Sequence, residues 1–306
     1  MPAMAKRTTT ITVGAVQIAL SSGDKLLFPD DDITKADLVE YYRSVAGVMV
    51  PHLVGRPLTL HRFPSGIGGQ RFYQKQASEH FPAWMHRVTL RSADGGDTNY
   101  VTGDDAATIV YLANQNCIVF HPCAVRAPEL HRPDLLILDL DPSDDDFEKV
   151  REGAQRLRGI LTQLGLVPFL KTTGSRGLHV VAPIVPDEDE AGVSQFVRAV
   201  AELLVREAPD RFTMEIGKAA RGRRVFVDYL RNGKAQTAAA PYTVRALPGA
   251  PVAMPIRWAE LEDPALDARR YRLRDVPAVL EERGDVWRDI HREARPLAAA
   301  RAKLGA

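Results

Sequence analysis

Residues 135–150, LLILDLDPSDDDFEKV, decide how the rest of the chain is read. They set two carboxylates, Asp139 and Asp141, into a run of leucine and isoleucine and close it with Pro142. A strand has a period of two, so Ile137, Asp139 and Asp141 share one face while Leu136, Leu138 and Leu140 take the other. The leucine face can reach a core. On the opposite face the two acids lie about 6–7 Å apart at their Cα atoms. Left alone they repel, and burial raises at least one pKa. A divalent cation reverses that cost, because Mg²⁺ and Mn²⁺ take hard oxygen ligands. The competing reading is a solvated strand end whose SDDDFEKV segment caps the next helix and charges its first turn. Asp144, Asp145 and Asp146 fit that second reading. Asp139 and Asp141 need partners elsewhere before the metal reading holds.

Composition narrows the field. A chain of 306 residues that is 45% hydrophobic and 26% charged can bury a sizeable core, as one large domain or as two lobes. The net charge of +1 excludes a global basic signature, so any nucleic-acid surface must be local. No apolar run is long enough to span a bilayer, and MPAMAKRTTT lacks the apolar segment of a signal peptide. Two cysteines, Cys117 and Cys123, give no disulfide framework and suit a reducing cytoplasm. In CIVFHPC the set Cys117, His121 and Cys123 invites a zinc reading, but the spacing is wrong for a zinc knuckle and no fourth ligand is near.

Periodicity predicts a helix opening at Thr34, with Leu38, Tyr42, Val45 and Met49 at helical spacing. LTLHRFPSGIGGQRFYQKQ reads as strand, Gly-rich turn and strand. A helix over DDAATIVYLANQN and a strand over CIVFH come next. The helix after Asp146 should stop at Gly165. VPFLKTT and LHVVAPI read as strands around the turn GSRG, EDEAGVSQFVRAVAELLVRE as a helix and RVFVDYL as a strand. Hairpins in the first half and alternating strands and helices in the second predict a two-lobed α+β or α/β protein on two sheets. Residues 1–306 are expected to form one domain, with lobes near 10–126 and 127–306.

Three stretches answer the two aspartates. In RVFVDYL, Phe226 and Asp228 share a face, so Asp228 is another acid within an apolar strand. Three carboxylates from two strands can hold two divalent ions, and such a pair serves in-line phosphoryl or nucleotidyl transfer. A salt bridge to Arg223 or Arg224 is the alternative. In KTTGSRGLHV a hydroxyl-rich glycine turn between strands offers amides with Thr172, Thr173 and Ser175 for phosphate oxygens. Arg176 adds a bidentate donor and His179 a further hydrogen bond. A plain hairpin turn would look the same. From Lys218 to Arg245 run seven basic residues with Asp228 as the only acid among them, which suits a metal ligand flanked by triphosphate-binding groups or else a solvated basic hairpin.

The order DxD, GSRGLH, VFVD resembles the archaeo-eukaryotic primase superfamily, and within it the polymerase domain of bacterial ATP-dependent DNA ligase D, an end-joining repair enzyme. GDKLLFPDDDITKADLVEYY, GRPLTLHRFPSGIGGQRFYQKQ, RPDLLILDLDP, TTGSRGLHV and VFVDYLRNGKAQTAAAPYTVRA carry the likeness, in family order, over nearly the whole chain. The resemblance implies a primase-like fold of mixed and antiparallel sheets flanked by helices. It implies that Asp139, Asp141 and Asp228 bind two Mn²⁺ or Mg²⁺ ions. It places His121 near the incoming nucleotide, and Thr173, Ser175, Arg176, His179, Lys218, Arg221 and Arg245 on its sugar and phosphates. Lys25 and Lys35 match lysines that hold a 5′-phosphate; Phe72 and Tyr73 match aromatics that stack near the template base, beside Arg62 and Lys75. Departures are Thr173 for serine, Arg176 for lysine, HPC for HPW, His61 for a basic residue, and loss near Arg231 of a frequent glutamine. No KxDG ligase motif is present, as in a stand-alone enzyme or an excised domain.

The function so implied is template-directed addition of NTP or dNTP, with a leaning to ribonucleotides, to primer 3′ ends at 5′-phosphorylated gaps and breaks. The setting would be cytoplasmic and nucleoid-associated, with Ku and a DNA ligase as partners. A monomer is expected, with dimerisation across a break as the other arrangement. De novo priming is the alternative within the same chemistry. A non-catalytic DNA-end tether and a two-metal nuclease are the rivals outside it. The tether would use its Lys and Arg contacts and keep its acids for structure. The nuclease needs no triphosphate cradle.

Overall fold

The first half of the chain builds hairpins around one well-capped helix. In the computed structural model, which describes residues 9–91 and 95–305, strands β1 (Thr9–Val13) and β2 (Val16–Leu20) pair first, then β3 (Leu26–Phe28) with β4 (Ile33–Thr34). Residues 1–8, where a leader was sought, lie outside the described residues. Thr34 opens α1 (Lys35–Met49): its hydroxyl accepts from the Asp37 amide at 3.2 Å, and its own amide donates to the Asp37 carboxylate at 2.8 Å. This reciprocal box fixes the start, and Leu38, Tyr42, Val45 and Met49 are buried, as their spacing predicts. Strands β5 (Leu58–Arg62) and β6 (Phe72–Gln74) come next, then the hairpin β7 (Arg87–Arg91) and β8 (Asp97–Val101). After α2 (Ala106–Asn114), capped by Asp105, comes β9 (Cys117–Pro122), which completes an antiparallel sheet in the order β6-β5-β9. Both cysteines are free and buried.

The second half builds the larger sheet. Its elements are β10 (Leu135–Pro142), α3 (Phe147–Gln163), β11 (Phe169–Thr172), β12 (Leu178–Pro183), α4 (Glu190–Glu207), β13 (Phe212–Thr213), α5 (Lys218–Arg221), β14 (Val225–Asp228) and β15 (Pro255–Ile256). The strand order is β13-β14-β10-β12-β11-β15, antiparallel except for β13 with β14. Among the described residues two larger sheets are therefore present, as expected, with three two-stranded hairpins beside them. Helices α6 (Val276–Arg283) and α7 (Leu297–Leu304) end the chain. Asp146 caps α3, and the chain leaves that helix through Gly165 at φ +90°. Leu136, Leu138 and Leu140 are fully buried in the same apolar cluster as residues of α3 and α4, which pack on β10. That cluster also takes in α1, α2 and β9. With helices on the leucine face, Asp139 and Asp141 are left on the opposite face. No helix of the described residues is long and apolar enough to cross a membrane.

The basic stretch 218–245 is not a hairpin. Strand β14 pairs with β10 and β13, not with the segment after it. The chain instead turns at Leu230–Asn232, where the buried Asn232 side chain clamps the Ile137 backbone: its amide donates to the Ile137 carbonyl at 2.7 Å, and its oxygen accepts from the Ile137 amide at 2.8 Å. It then crosses to the other sheet, where the amides of Ala238 and Ala240 donate to Pro122 and Phe120 of β9. This crossing joins the two sheets and supplies one wall of the cleft between them.

Candidate active site

The six-stranded sheet lays a buried polar row across the face turned away from α3 and α4. In register, Lys171 of β11 lies opposite His179 of β12, His179 opposite Asp139 of β10, and Asp139 opposite Asp228 of β14. Asp141 stands two residues beyond Asp139, and carboxylate oxygens of all three acids come within 4.8 Å of one another. Like charges directly opposite on neighbouring strands destabilise a sheet, so this arrangement calls for cations. Arg231 supplies one, reaching Asp139 at 3.5 Å and Asp228 at 2.8 Å, and His179 Nε2 lies 3.4 Å from Asp139.

The three acids divide the charge unequally. Burial alone would raise the Asp139 carboxyl, but His179, Arg231 and Lys171 hold it below the usual carboxylate range. Asp141 is pushed well above that range by burial and by the charges of Asp139 and Asp228. Asp228 is raised by burial too, against the pull of Arg231. On the cation side, burial and the neighbouring Arg245 bring the Lys171 ammonium down to about 7. Burial and Lys171 bring His179 down to about 4.

Asp139, Asp141 and His179 line a cleft of about 200 Å³ with Tyr73, His121, Thr173, Ser175, Thr237, Arg231 and Arg245. Burial and the charges of Arg245 and His61 drive the His121 imidazole well below its ordinary pKa, so it faces the cleft as a neutral ring. Arg245 donates to the Thr173 carbonyl at 2.7 Å, which ties the glycine turn to the chain beyond the crossing. The Thr173 hydroxyl donates to the Gly177 carbonyl at 3.0 Å and accepts from the Ser175 and Gly177 amides, so its hydrogen-bonding capacity is spent inside the turn. Both glycines of that turn are demanded by space. A Cβ on Gly174, which sits at φ +62°, would lie 2.8 Å from the Val252 carbonyl carbon, and one on Gly177 would lie 1.8 Å from the Leu140 oxygen.

A wider groove adjoins the cleft through Tyr73, Ser175 and Arg245. Phe72 and the 62%-exposed Tyr73 project at its edge. Tyr73 stacks on His61, with ring centroids 4.0 Å apart and planes at 17°. Arg62 lies over the Phe72 ring, and its guanidinium donates to the Gln115 carbonyl and to Gln74. Lys75 is exposed just beyond β6.

Other expected residues stand elsewhere. Arg176 turns outward to the Asp144 carbonyl at 3.0 Å and toward Asp145, beside a second depression lined also by Ser175 and Arg269. Lys218 is exposed on the short α5. Arg221 is tied to the Glu215 and Ile216 carbonyls and covers the Phe226 ring at 3.8 Å. Neither Arg223 nor Arg224 pairs with Asp228; the pairing falls to Arg231, three residues past the acid and on its own turn. Arg223 instead joins Lys149 on Asp144, which keeps Asp144 in structural pairings. Lys171 is not singled out by the sequence, and Arg231 only as one of the seven basic residues around Asp228. Lys171 carried the signal that exposed Asp228, a charge inside an apolar strand.

Lys25 and Lys35 form a separate basic pocket. The Lys25 ammonium donates to the Pro64 carbonyl and Lys35 to Ser21 at 2.9 Å. Lys35 is only 2% exposed, and burial together with the Lys25 charge lowers its pKa to about 8. The amides at the start of α1 are taken: the Lys35 amide donates to Lys25, the Ala36 amide to Gly23, and the Asp37 amide to Thr34. Any anion there meets ammonium groups rather than a helix terminus.

Acids on adjacent central strands, backed by a glycine turn and a cationic cleft on a primase-like sheet, define a polymerase–primase class of nucleotidyltransferase. Residues 34–287 match the family model described as LigD, primase-polymerase domain, and the chain belongs to that family. It is 32% identical over 285 residues to the multifunctional non-homologous end joining protein LigD of Mycolicibacterium smegmatis, covering 92% of this chain and 37% of that one. With the LigD of Pseudomonas aeruginosa the identity is 33% over 293 residues, 94% of this chain and 34% of that one. The chain thus spans about a third of the length of these relatives. A solved structure, the polymerase domain from Mycobacterium tuberculosis ligase D in complex with DNA, superposes with a TM-score of 0.85 at 33% identity, covering 90% of this chain and 99% of that one.

Proposed function

We propose that this chain extends primer 3′ ends at gaps and breaks that carry a 5′-phosphate, in end-joining repair, and that ribonucleotides are its preferred substrates. The observation that carries the reading is the close triad of Asp139, Asp141 and Asp228, the first two of which line a cationic cleft. Three oxygen-donor groups this close suit two Mn²⁺ or Mg²⁺ ions, and the raised carboxyls of Asp141 and Asp228 express a site short of positive charge. Such ions supply charge neutralisation and a lowered pKa for the attacking hydroxyl. The protein supplies position. Arg245, Ser175 and neutral His121 face the triphosphate, and Tyr73 offers an aromatic face at the template side. Lys25 and Lys35 hold the downstream 5′-phosphate.

The direct test is incorporation of labelled rNTP and dNTP on a 5′-phosphorylated gapped duplex. Templated addition with rNTP favoured supports the proposal; DNA binding without incorporation supports the tether. The lysine pocket gives a second test. Two ammonium groups that repel each other, one of them buried, gain most from a terminal phosphate, which carries more charge than a phosphodiester. Lys25→Ala with Lys35→Ala should therefore weaken binding to the 5′-phosphorylated gap by about 10–100-fold, the worth of one or two charge-assisted contacts. Addition on a simple primer–template should hardly change. Equal affinity of the unmutated protein for 5′-phosphate and 5′-hydroxyl gaps would shift the reading to a primase.

A further inference from the structure

We propose that Arg231 is a counter-ion latch on the acidic triad, and that it makes divalent-cation binding depend on the nucleotide. The inference rests on the reading of the triad as a metal site. Arg231 reaches acids on two different strands, Asp228 at 2.8 Å and Asp139 at 3.5 Å. Among the described residues no other arginine or lysine comes within ion-pair distance of the three acids. Lys171 has no hydrogen-bond partner for its buried ammonium, and Arg245 is committed to the Thr173 carbonyl.

Both oxygens of Asp228 are engaged. Oδ2 pairs with Arg231, and Oδ1 accepts from the Leu230 amide at 2.9 Å. A guanidinium and a divalent cation on one carboxylate oxygen repel, so a cation cannot take Asp228 at full strength while Arg231 stays. The side chain is built to leave. Its backbone is pinned on both sides, by Leu230 on Asp228 and by Asn232 on Ile137, while the side chain itself is 35% exposed along the cleft. Displaced from the acids, the guanidinium needs an anion, and a triphosphate in the same cleft is one that matches its fork. Cation and nucleotide then bind with positive coupling, because each relieves what the other leaves unpaired.

The test is Mn²⁺ binding, followed by the electron paramagnetic resonance signal of free Mn²⁺, with and without a non-hydrolysable nucleoside triphosphate. Arg231→Gln should bind Mn²⁺ about tenfold tighter than the parent without nucleotide, the equivalent of one charge-assisted contact. With the nucleotide's own chelation of Mn²⁺ subtracted, added nucleotide should raise the parent's Mn²⁺ affinity about tenfold more than that of Arg231→Gln. Arg231→Lys keeps the charge but not the two-pronged reach, and should fall between them; it also serves if the glutamine variant folds poorly. Equal or weaker Mn²⁺ binding by both variants would overturn the latch and make Arg231 a fixed strut. If the unmutated protein binds no Mn²⁺ even with nucleotide, the metal-site reading falls as well.

Discussion

Asp141→Asn should abolish nucleotide addition and leave the cation-free protein at least as stable as its parent. The two effects separate because Asp141 is the acid the fold does not compensate. Burial and the charges of Asp139 and Asp228 push its carboxyl up, and no arginine or lysine among the described residues pairs with it. A carboxyl whose pKa is raised on folding favours its protonated form in the native state. Its contribution to stability is therefore present below the ordinary carboxylate pKa and is lost as pH rises through the raised one. At neutral pH its ionisation costs stability, and the amide removes that cost. Asp139 runs the other way. Its carboxyl is held low by His179, Arg231 and Lys171 against burial, so its contribution is present at neutral pH and lost as the medium is acidified. Asp139→Asn should then cost about 1–3 kcal/mol, because His179 and Arg231 lose a buried charged partner. Both variants should lose more than the ~10–100-fold in rate that follows loss of a group merely supporting a metal ligand. Thermal melting between pH 4 and 8 without divalent cations, set beside primer extension with them, checks the pair. Retained extension in Asp141→Asn would remove the triad from catalysis. A strongly destabilised Asp141→Asn would make the acids a structural network, as the tether reading requires.

The features legible in the sequence were local and periodic. The two faces of β10 follow from a period of two, and Leu136, Leu138 and Leu140 are buried as that period dictates. The start of α1 follows from a threonine with an acid three residues on, and the end of α3 from Gly165. The glycine turn and the third acid were legible because each breaks an apolar strand in its own way. The course of the chain after Asp228 was not legible. It depends on Asn232 bonding Ile137 and on residues 238–240 pairing with β9, contacts roughly a hundred residues apart or more that leave no local pattern. Side-chain direction at the turn was equally hidden. Arg176 and Arg245 both read as phosphate groups, yet Arg176 follows the Asp144 carbonyl outward while Arg245 is held over the cleft by the Thr173 carbonyl. The pairing of Arg231 rather than Arg223 or Arg224 has the same origin, since those two precede the strand and Arg231 curls back after it.

Gly177→Ala should disable the site without touching any group that carries charge. Gly177 closes the turn GSRG and lies against the backbone of β10 between the two acids. A Cβ there would fall 1.8 Å from the Leu140 oxygen and 2.9 Å from its carbonyl carbon. A flexible side chain could move aside, but this obstacle is the backbone of a central strand, paired with β12 on one side and β14 on the other. The turn must therefore peel away. Its amide and carbonyl hold the Thr173 hydroxyl, so Thr173 and Ser175 shift with it, and His179 two residues on loses its place opposite Asp139. Stability should fall by at least the ~1–3 kcal/mol typical of overpacking. Nucleotide affinity should fall much further than DNA affinity, because Lys25, Lys35, Phe72 and Tyr73 stand on other elements. Gly159→Ala is the matched control: Gly159 lies within α3 with open space around its Cβ position, and alanine there should keep parental addition. The measurements are thermal melting, binding of a labelled gapped duplex and single-turnover addition. Parental addition by Gly177→Ala would mean that the turn yields without cost, and that its contact with β10 does not set the geometry of the acids.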